Sequence, residues 1–489
     1  MLESVGVGVR PLIEKARSSS SRNGTFDRKN PITGEVVTRA TAATVKDAVA
    51  SVEAAEAAFA AWSVIGPTDR RAKLLQAADL LERRVAQFST LMTSELGATP
   101  AWVTFNVHFG AQILREAAAI TTQVKGEVIP SDLPGSLAIA ERQPVGVVLS
   151  IAPWNAPIIL GVRSIAFPLA CGNTVVFKAS EMCPGTHQLL GDVLHEAGLG
   201  NGIVNVLVHA PADAPAIVET MVAHPSVKRI NFTGSTRVGR IIALHAAKYL
   251  KPVLLELGGK APLLILDDAD LDEAVKAAAF GAFANQGQIC MSTERILVDA
   301  KVADAFVEKF VAKVRSLSCG DPRTGDFVLG SIADLSTVER IRRLVDDATS
   351  KGAKILLGGE SDGTTLMQPV VVDHVTPQMN IFREESFGPS VSITRVSSEE
   401  EAIRLANDSD YGLSAAVFTR NIARGFNVAK QIQSGICHVN GATVHDEAQM
   451  PFGGTKGSGY GRFGGEACIH EFTELKWITL QMKSRQYPL

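Results

Sequence analysis

Gly146–Val147–Val148–Leu149–Ser150–Ile151 is followed, one helix-length later, by Asn173–Thr174–Val175–Val176–Phe177–Lys178. Both are short, continuous, β-branched apolar runs, the pattern of a strand buried on both faces. Pro157–Leu169 between them reads as a helix. Strand, helix and strand at this spacing make a βαβ unit, and such units build parallel sheets. The alternation continues through Gly202–Leu207, Val227–Phe232 and Pro252–Glu256 as strands, with Gly185–Ala197 and Ala214–Ala223 as helices. An α/β fold with an open parallel sheet is expected.

The pattern restarts after Gly259. Leu263–Leu266 and Arg295–Val298 are strand-like, Leu271–Phe283 and Val302–Leu317 helical, so a second α/β unit is expected over 257–456. On the N-terminal side, 1–35 reads as a loose arm with turns at Asn30–Pro31 and Thr33–Gly34. Helices are expected at Thr44–Ala60, at Pro67–Glu95 and near Val107–Thr122, so 1–125 joins 145–256 in the first unit. Residues 126–144 and 472–489 both alternate apolar and polar types. They are expected to pair as a small β element, whose unpaired edge invites a second subunit.

The 489 residues suffice for several cores; 46% are hydrophobic and 20% charged, an ordinary globular composition. Lys plus Arg is 48 against 51 Asp plus Glu, so nothing in the balance recommends nucleic acid as a partner. No apolar 20-mer could span a bilayer. Arg10, Lys15, Arg17 and Arg22 lie among serines, the bias of a targeting segment, but Glu3 and Glu14 interrupt it and no apolar core follows. The six cysteines (171, 183, 290, 319, 437, 468) form neither a disulfide framework nor a zinc-type spacing, so no metal is expected and a reducing cytoplasm is the natural setting.

Cys290 sits in Asn285–Gln286–Gly287–Gln288–Ile289–Cys290, and Glu256 in Glu256–Leu257–Gly258–Gly259–Lys260. A thiol on a glycine-containing turn and a carboxylate at a strand end suggest covalent catalysis by sulfur with an acid or base to resolve the intermediate. A low-pKa thiolate would attack a carbonyl and leave an oxyanion that needs donors. Asn155, just past a buried strand, offers an amide for it. The plainer alternatives are a filler cysteine, a strand-end salt bridge for Glu256 and an N-cap role for Asn155. Lys178 and Glu181 end another strand, where a nucleotide ribose would lie, or are ordinary helix-start charges. Gly234–Ser235 opens a helix whose N-terminus suits a pyrophosphate, although no GxGxxG follows any strand.

Seven ordered motifs together resemble the aldehyde dehydrogenase superfamily over nearly the whole chain: Pro153–Trp154–Asn155, Lys178–Ala179–Ser180–Glu181, Phe232–Thr233–Gly234–Ser235, Glu256–Leu257–Gly258–Gly259–Lys260, Gly287–Gln288–Ile289–Cys290, Glu384–Pro389 and Pro451–Phe452–Gly453–Gly454. The resemblance implies a nucleotide-binding domain (1–125 and 145–256), a catalytic domain (257–456) and a bridging element (126–144 and 472–489) that makes dimers or tetramers. It implies Cys290 as nucleophile, Glu256 as general base and Asn155 as oxyanion donor. It implies NAD as cofactor, held by Lys178, Glu181, Gly234, Ser235, Glu385 and Phe387, with Ile151 and Trp154 along the groove. Ser458–Gly465 and Glu471–Thr479 resemble the branch that oxidises aromatic aldehydes such as benzaldehyde, salicylaldehyde and vanillin, with Ala156, Leu160, Arg163 and Phe452 in the substrate pocket. A broad, aliphatic or semialdehyde dehydrogenase is the alternative. A CoA-acylating relative would not need Glu256, and a non-catalytic structural protein would not need the trio.

This sequence departs from the commoner family pattern at several places. Phe463 stands where many members have a glutamate proposed to relay a proton. Ala156 replaces a bulky aromatic, and Arg163 an apolar aromatic of the tunnel. Leu207–Val208–His209–Ala210–Pro211 lacks the glycine-rich turn near the cofactor phosphates.

Overall fold

The computed structural model describes residues 24–200, 202–358 and 363–488; the basic N-terminal stretch with Arg10, Lys15, Arg17 and Arg22 lies outside them. The fold is mixed α/β. Five parallel strands form the first sheet in the spatial order Val253–Glu256, Val227–Thr233, Val147–Ile151, Thr174–Lys178, Val204–Leu207, and Gly459–Tyr460 adds an antiparallel edge beside Val253–Glu256. The chain starts in the middle strand, winds to one side, then crosses back to the other. That reversal opens a crevice beyond the carboxyl ends of Val147–Ile151 and Val227–Thr233, the place where open α/β sheets bind ligands. Trp154, Asn155, Gly234 and Ser235 all follow those two strand ends.

The reason for this arrangement lies in burial. All five residues of Val147–Ile151 and of Thr174–Lys178 are buried, as is every residue of the helix Pro157–Ala170 between them. Each large aliphatic side chain so buried contributes about 1.5–3 kcal/mol. The helix Pro100–Ile120 lies against Pro157–Ala170 so closely that a Cβ at Gly110 would stand 3.0 Å from Ile158 Cγ2.

The second sheet runs Lys354–Leu357, Val370–Asp373, Ser390–Val396, Thr293–Asp299, Ala261–Ile265, Ser414–Phe418, Ile436–Val439, parallel except for its first strand. The third joins Thr473–Gln481, Ser136–Pro144 and Glu127–Ile129, all antiparallel, so the C-terminal strand does pair with the 126–144 ribbon. Among the described residues no helix is long and apolar enough to cross a membrane.

Three readings of the sequence need correction. The supposed loose arm contains a hairpin, Thr25–Lys29 with Val36–Thr41, whose turn is fixed by the Asn30 side chain accepting from Ile32 and Thr33 N–H groups. The stretch 67–95 is two helices, Pro67–Arg83 and Val85–Leu96, that break at Arg84. The next helix begins at Pro100 because Thr99 caps it, its hydroxyl accepting from Trp102 N–H, with proline in the first turn.

The hairpin is tied to the core by one fully buried carboxylate. Glu95 accepts from Thr38 Oγ1 (2.8 Å), Gly185 N (2.8 Å), Thr186 N (3.1 Å) and Thr186 Oγ1 (2.7 Å), so it also caps the helix Pro184–Glu196. Glu95→Leu leaves these donors buried and unpaired and is expected to cost about 3 kcal/mol. A urea midpoint unchanged from the parent protein would refute this accounting.

Candidate active site

Glu256 ends its strand with its carbonyl bound by Gly234 N–H at 3.0 Å. The next four residues, Leu257–Lys260, carry the chain from the first sheet into the second, where Ala261–Ile265 begins. The site forms at this crossing. The Glu256 residue is only 1% exposed, and neither carboxylate oxygen has a hydrogen-bond partner among the described residues. A buried, unpaired carboxylate resists ionisation. Burial pushes its pKa up to about 7, while the Cys290 thiol and Arg163 pull down and Asp446 pushes up.

Cys290 is half-buried on the turn between the helix Leu271–Phe283 and the strand Thr293–Asp299. Asn285, Gln286 and Gly287 are successively left-handed (φ 48°, 55° and 68°). Two of these are not glycine, and such strain costs about 1–3 kcal/mol each unless the surroundings fix it. Here they do. Gln286 donates to Ser331 O (2.9 Å) and accepts from Gly330 N–H (3.0 Å), and Gln288 accepts from Ala333 N–H (3.0 Å). Burial and the neighbouring Glu256 raise the thiol's pKa well above the ordinary value, and Arg163 only partly offsets them. Burial and Glu256 thus oppose ionisation of the resting thiol, beside a carboxyl group whose own pKa stands at about 7.

Asn155 is not a helix cap. Ala156 occupies that position, and the Asn155 amide instead donates to Gln288 O at 2.9 Å, two residues from Cys290. Its carbonyl is held by Trp102 Nε1 and Asn285 Nδ2, both at 3.0 Å. Trp102 and Asn285 escaped the sequence reading. Asn285 lay inside a quoted segment, but nothing in its spacing pointed back to Asn155.

At the other end of the crevice Lys178 ends its strand and pairs with Glu181 (3.3 Å), three residues before the helix at Pro184. His209, in place of a glycine-rich turn, has Nδ1 at 2.8 Å from Ala210 O and a buried Nε2 without a partner among the described residues. Ser235 caps the helix Thr236–Lys248, its hydroxyl accepting from Val238 N–H at 3.4 Å, and Gly234 precedes it. Ile151 is buried at its strand end. Trp154 meets Phe387 edge to face with centroids 5.9 Å apart. Glu385 accepts from Gly259 N–H at 2.8 Å, and burial beside Glu294 pushes its pKa to about 8.

One ion pair, unforeseen from the sequence, binds three of the motifs. Lys260 and Glu294 are paired in full burial, and Glu294 also accepts from Ser386 N (2.9 Å), Phe387 N (3.0 Å) and Ser386 Oγ (2.6 Å). On the opposite wall Ala156, Leu160 and Phe452 are buried. Arg163 Cζ lies 4.4 Å from the Phe452 ring centroid, and its guanidinium pairs with Asp446, both side chains nearly inaccessible. The carboxylate partner of Arg163 lies 283 residues along the chain. Phe463 is fully buried and pairs through its backbone with Phe452.

This geometry has close relatives. Residues 17–478 match the aldehyde dehydrogenase family. The chain belongs to the aldehyde dehydrogenase family. It is 60% identical to a vanillin dehydrogenase of Pseudomonas sp. (strain HR199 / DSM 7063) over 471 residues, covering 96% of this chain and 97% of that protein. It is 51% identical over 477 residues to a salicylaldehyde dehydrogenase of Pseudomonas putida, covering 97% and 99%. The crystal structure of a salicylaldehyde dehydrogenase from Pseudomonas putida G7 complexed with salicylaldehyde superposes with a TM-score of 0.95 at 51% identity, over 96% of this chain and 98% of that one. A betaine aldehyde dehydrogenase from Staphylococcus aureus in complex with NAD+ gives 0.92 at 31% identity, over 96% and 94%.

In this aldehyde dehydrogenase the crossing peptide and the cysteine turn touch through glycine. A Cβ on Gly259 would stand 2.2 Å from Cys290 O, far inside contact distance. Gly259→Ala must displace either Cys290 or the peptide that carries Glu256. It is expected to lower aldehyde turnover at least about a hundredfold, the scale of a displacement near 1 Å, while the protein stays folded by circular dichroism. Activity within threefold of the parent would show that the approach is dispensable.

Proposed function

We propose that this enzyme oxidises planar aromatic aldehydes, of the vanillin and benzaldehyde type, to the carboxylic acid with NAD. The observation that carries the chemistry is the buried, unpartnered Glu256 whose charge bears on the Cys290 thiol. A carboxylate without a partner in such a place costs stability and is explained by a reacting proton. Glu256 takes the thiol proton, and Cys290 sulfur adds to the aldehyde carbon. The carbonyl electron pair moves to oxygen, where the Asn155 amide and the Cys290 N–H are the donors the reading assigns. Collapse of this thiohemiacetal expels a hydride and leaves a thioester; the nicotinamide, when bound, accepts that hydride. Once Glu256 has passed the thiol proton to solvent, it takes a proton from water, which attacks the thioester and releases the acid and the Cys290 sulfur.

The residues fit such a cofactor. Lys178 and Glu181 are donor and acceptor for a ribose, and the unpartnered His209 nitrogen stands in their field. Ser235 opens a 13-residue helix toward the crevice, suited to a pyrophosphate. Glu385 and Phe387 flank the crossing peptide, suited to the nicotinamide side. Glu181 would repel a 2′-phosphate, which favours NAD over NADP. The vanillin and salicylaldehyde dehydrogenases among its relatives support the aromatic substrate, as does the room left by Ala156 for a flat ring. We read residues 1–125 and 145–256 as the cofactor domain, 257–456 as the catalytic domain, and 126–144 with 472–489 as a bridge between subunits of a cytoplasmic homodimer or tetramer. Exposed Leu475, Trp477 and Leu480 on an edge strand support that bridge.

NADH absorbance decides the substrate. kcat/KM for benzaldehyde and vanillin is expected to exceed that for acetaldehyde, and acetaldehyde leading would overturn the assignment. Glu181→Gln is expected to narrow the preference for NAD; parity of NAD and NADP in the unmodified enzyme would sink that claim.

Base catalysis needs the ionised form of Glu256. Thioester hydrolysis is therefore low below pH 7 and rises as the proton leaves, with a half-point near 7. Glu256→Gln is expected to give a slowed burst of NADH, since the thiol loses its base, and then a stalled steady state without that rise. Cys290→Ala abolishes even the burst. An undiminished steady rate in Glu256→Gln would mean that the base is elsewhere.

A further inference from the structure

Asp446 is absent from every motif that led to the site, yet it pairs with Arg163, whose guanidinium lies over the Phe452 ring. Its side chain is 9% exposed, one oxygen is given to Arg163, and Oδ1 is buried with no hydrogen-bond partner among the described residues. An orphaned carboxylate oxygen of this kind costs about 1–3 kcal/mol, so its presence calls for a donor that arrives later. Arg163 cannot turn to meet a ligand without breaking its own pair, since its guanidinium is held between Asp446 and the Phe452 ring. The charges of both Arg163 and Asp446 are felt at Glu256, and that of Arg163 at Cys290. On its other side Asp446 borders a cleft of about 340 Å³ with Gln112, Arg115, Glu116 and Ala448. Arg115 is already paired with Glu82 and Asp79.

We propose that Asp446 is a specificity-determining residue: its free oxygen accepts a hydrogen bond from a phenolic hydroxyl on the ring of the substrate, which is bound as the neutral phenol. Arg163 is then a positioning residue that keeps the carboxylate ionised and aimed. The inference rests on the aromatic reading above. A carboxylate acceptor binds a phenol by a charge-assisted hydrogen bond and repels a phenolate. A bare ring or a methyl ether has no proton to give, so the oxygen stays unpaired, and sites built on such a bond discriminate strongly.

The charged and titratable groups around Asp446 come from several elements. Arg163 comes from the helix behind it, and Glu256 and Cys290 from the strand end and the turn. Arg115 and Glu116 lie across the cleft. His445 and Glu447 flank it on its own loop, paired with each other at 3.1 Å, and His438 meets His445 edge to face. Burial raises the Asp446 pKa while Arg163 and the Glu447 backbone N–H pull it down, and Oδ1 itself has no partner among the described residues.

The test uses the full-length enzyme with NAD and measures kcat/KM for benzaldehyde, the three hydroxybenzaldehydes and their methyl ethers. In Asp446→Asn the amide oxygen can remain on Arg163, which turns an NH2 to the ring in place of an acceptor. The hydroxy-to-methoxy ratio is expected to fall at least tenfold for one ring position, over and above any change shared with benzaldehyde. An unchanged ratio, or an equal fall for all substrates, overturns the proposal. Should the single variant not fold, Arg163→Met with Asp446→Leu removes both charges together and is expected to show the same loss of ratio; a retained ratio there overturns it as well. The unmodified enzyme gives an independent reading. Its preference for the hydroxylated ring over benzaldehyde is expected to fall as pH rises through the phenol's own pKa. A rise would assign the ring oxygen to Arg163 as a phenolate and overturn the proposal. Failure of the unmodified enzyme to oxidise any aromatic aldehyde would overturn the functional reading and this inference together, whereas turnover with an unaltered ratio overturns this inference alone.

Discussion

The buried pair of Lys260 and Glu294 holds the site together. Two ions removed from water are stable only if nearly every remaining hydrogen-bonding position is filled. Glu294 meets that condition by accepting from the backbone of Ser386 and Phe387 and from the Ser386 hydroxyl, in addition to Lys260. The pair thereby ties the crossing peptide, the strand after Cys290 and the Glu385–Phe387 turn into one unit. Arg295, next in the chain, extends the tie by donating to Lys260 O at 3.0 Å and to Leu405 O and Ala406 O, both at 2.9 Å. Loss of either ion would leave the other buried and uncompensated, a penalty of about 3–5 kcal/mol.

A unit this rigid can hold groups that would otherwise relax. Glu256 has no partner, Glu385 has one backbone donor, and the Asn285–Gln286 backbone is left-handed. The same burial raises the pKa of both carboxyl groups, to about 7 and about 8. The Cys290 thiol moves the same way. The site is thus poised to exchange protons near neutrality, at the cost of charge stabilisation in its resting state. Glycine makes the closeness possible. Gly287 would place a Cβ 2.2 Å from Gly388 O, just as Gly259 would against Cys290 O, so the motif segments touch backbone to backbone.

Much of this was legible in the chain. Continuous apolar runs such as Val147–Ile151 can only be strands covered on both sides, and their alternation with helices fixes a parallel sheet. The ordered motifs around Asn155, Glu256 and Cys290 named the chemistry, because an amide, a carboxylate and a thiol in that order are few enough to stand out. The hairpin at Thr25–Thr41 was not legible, since its strands are mostly polar and little buried and it is tied to the core by distant Glu95. The break at Arg84 was hidden because the periodicity of the two helices runs on across it.

What the sequence determined by itself is therefore local: which segments are strands or helices, and which residues carry reactive atoms. Tertiary structure alone decided whom each reactive atom meets. Asn155 looks like a helix cap until the fold brings Gln288 O to its amide. Cys290 looks like an ordinary thiol until burial and Glu256 raise its pKa. Arg163 looks like a lone charge in an apolar tunnel until the fold brings Asp446, 283 residues away, to its guanidinium. Pairings of that range depend on how sheets stack and crossings pack, and burial, which sets the energy of every charge here, is a property of the assembled chain.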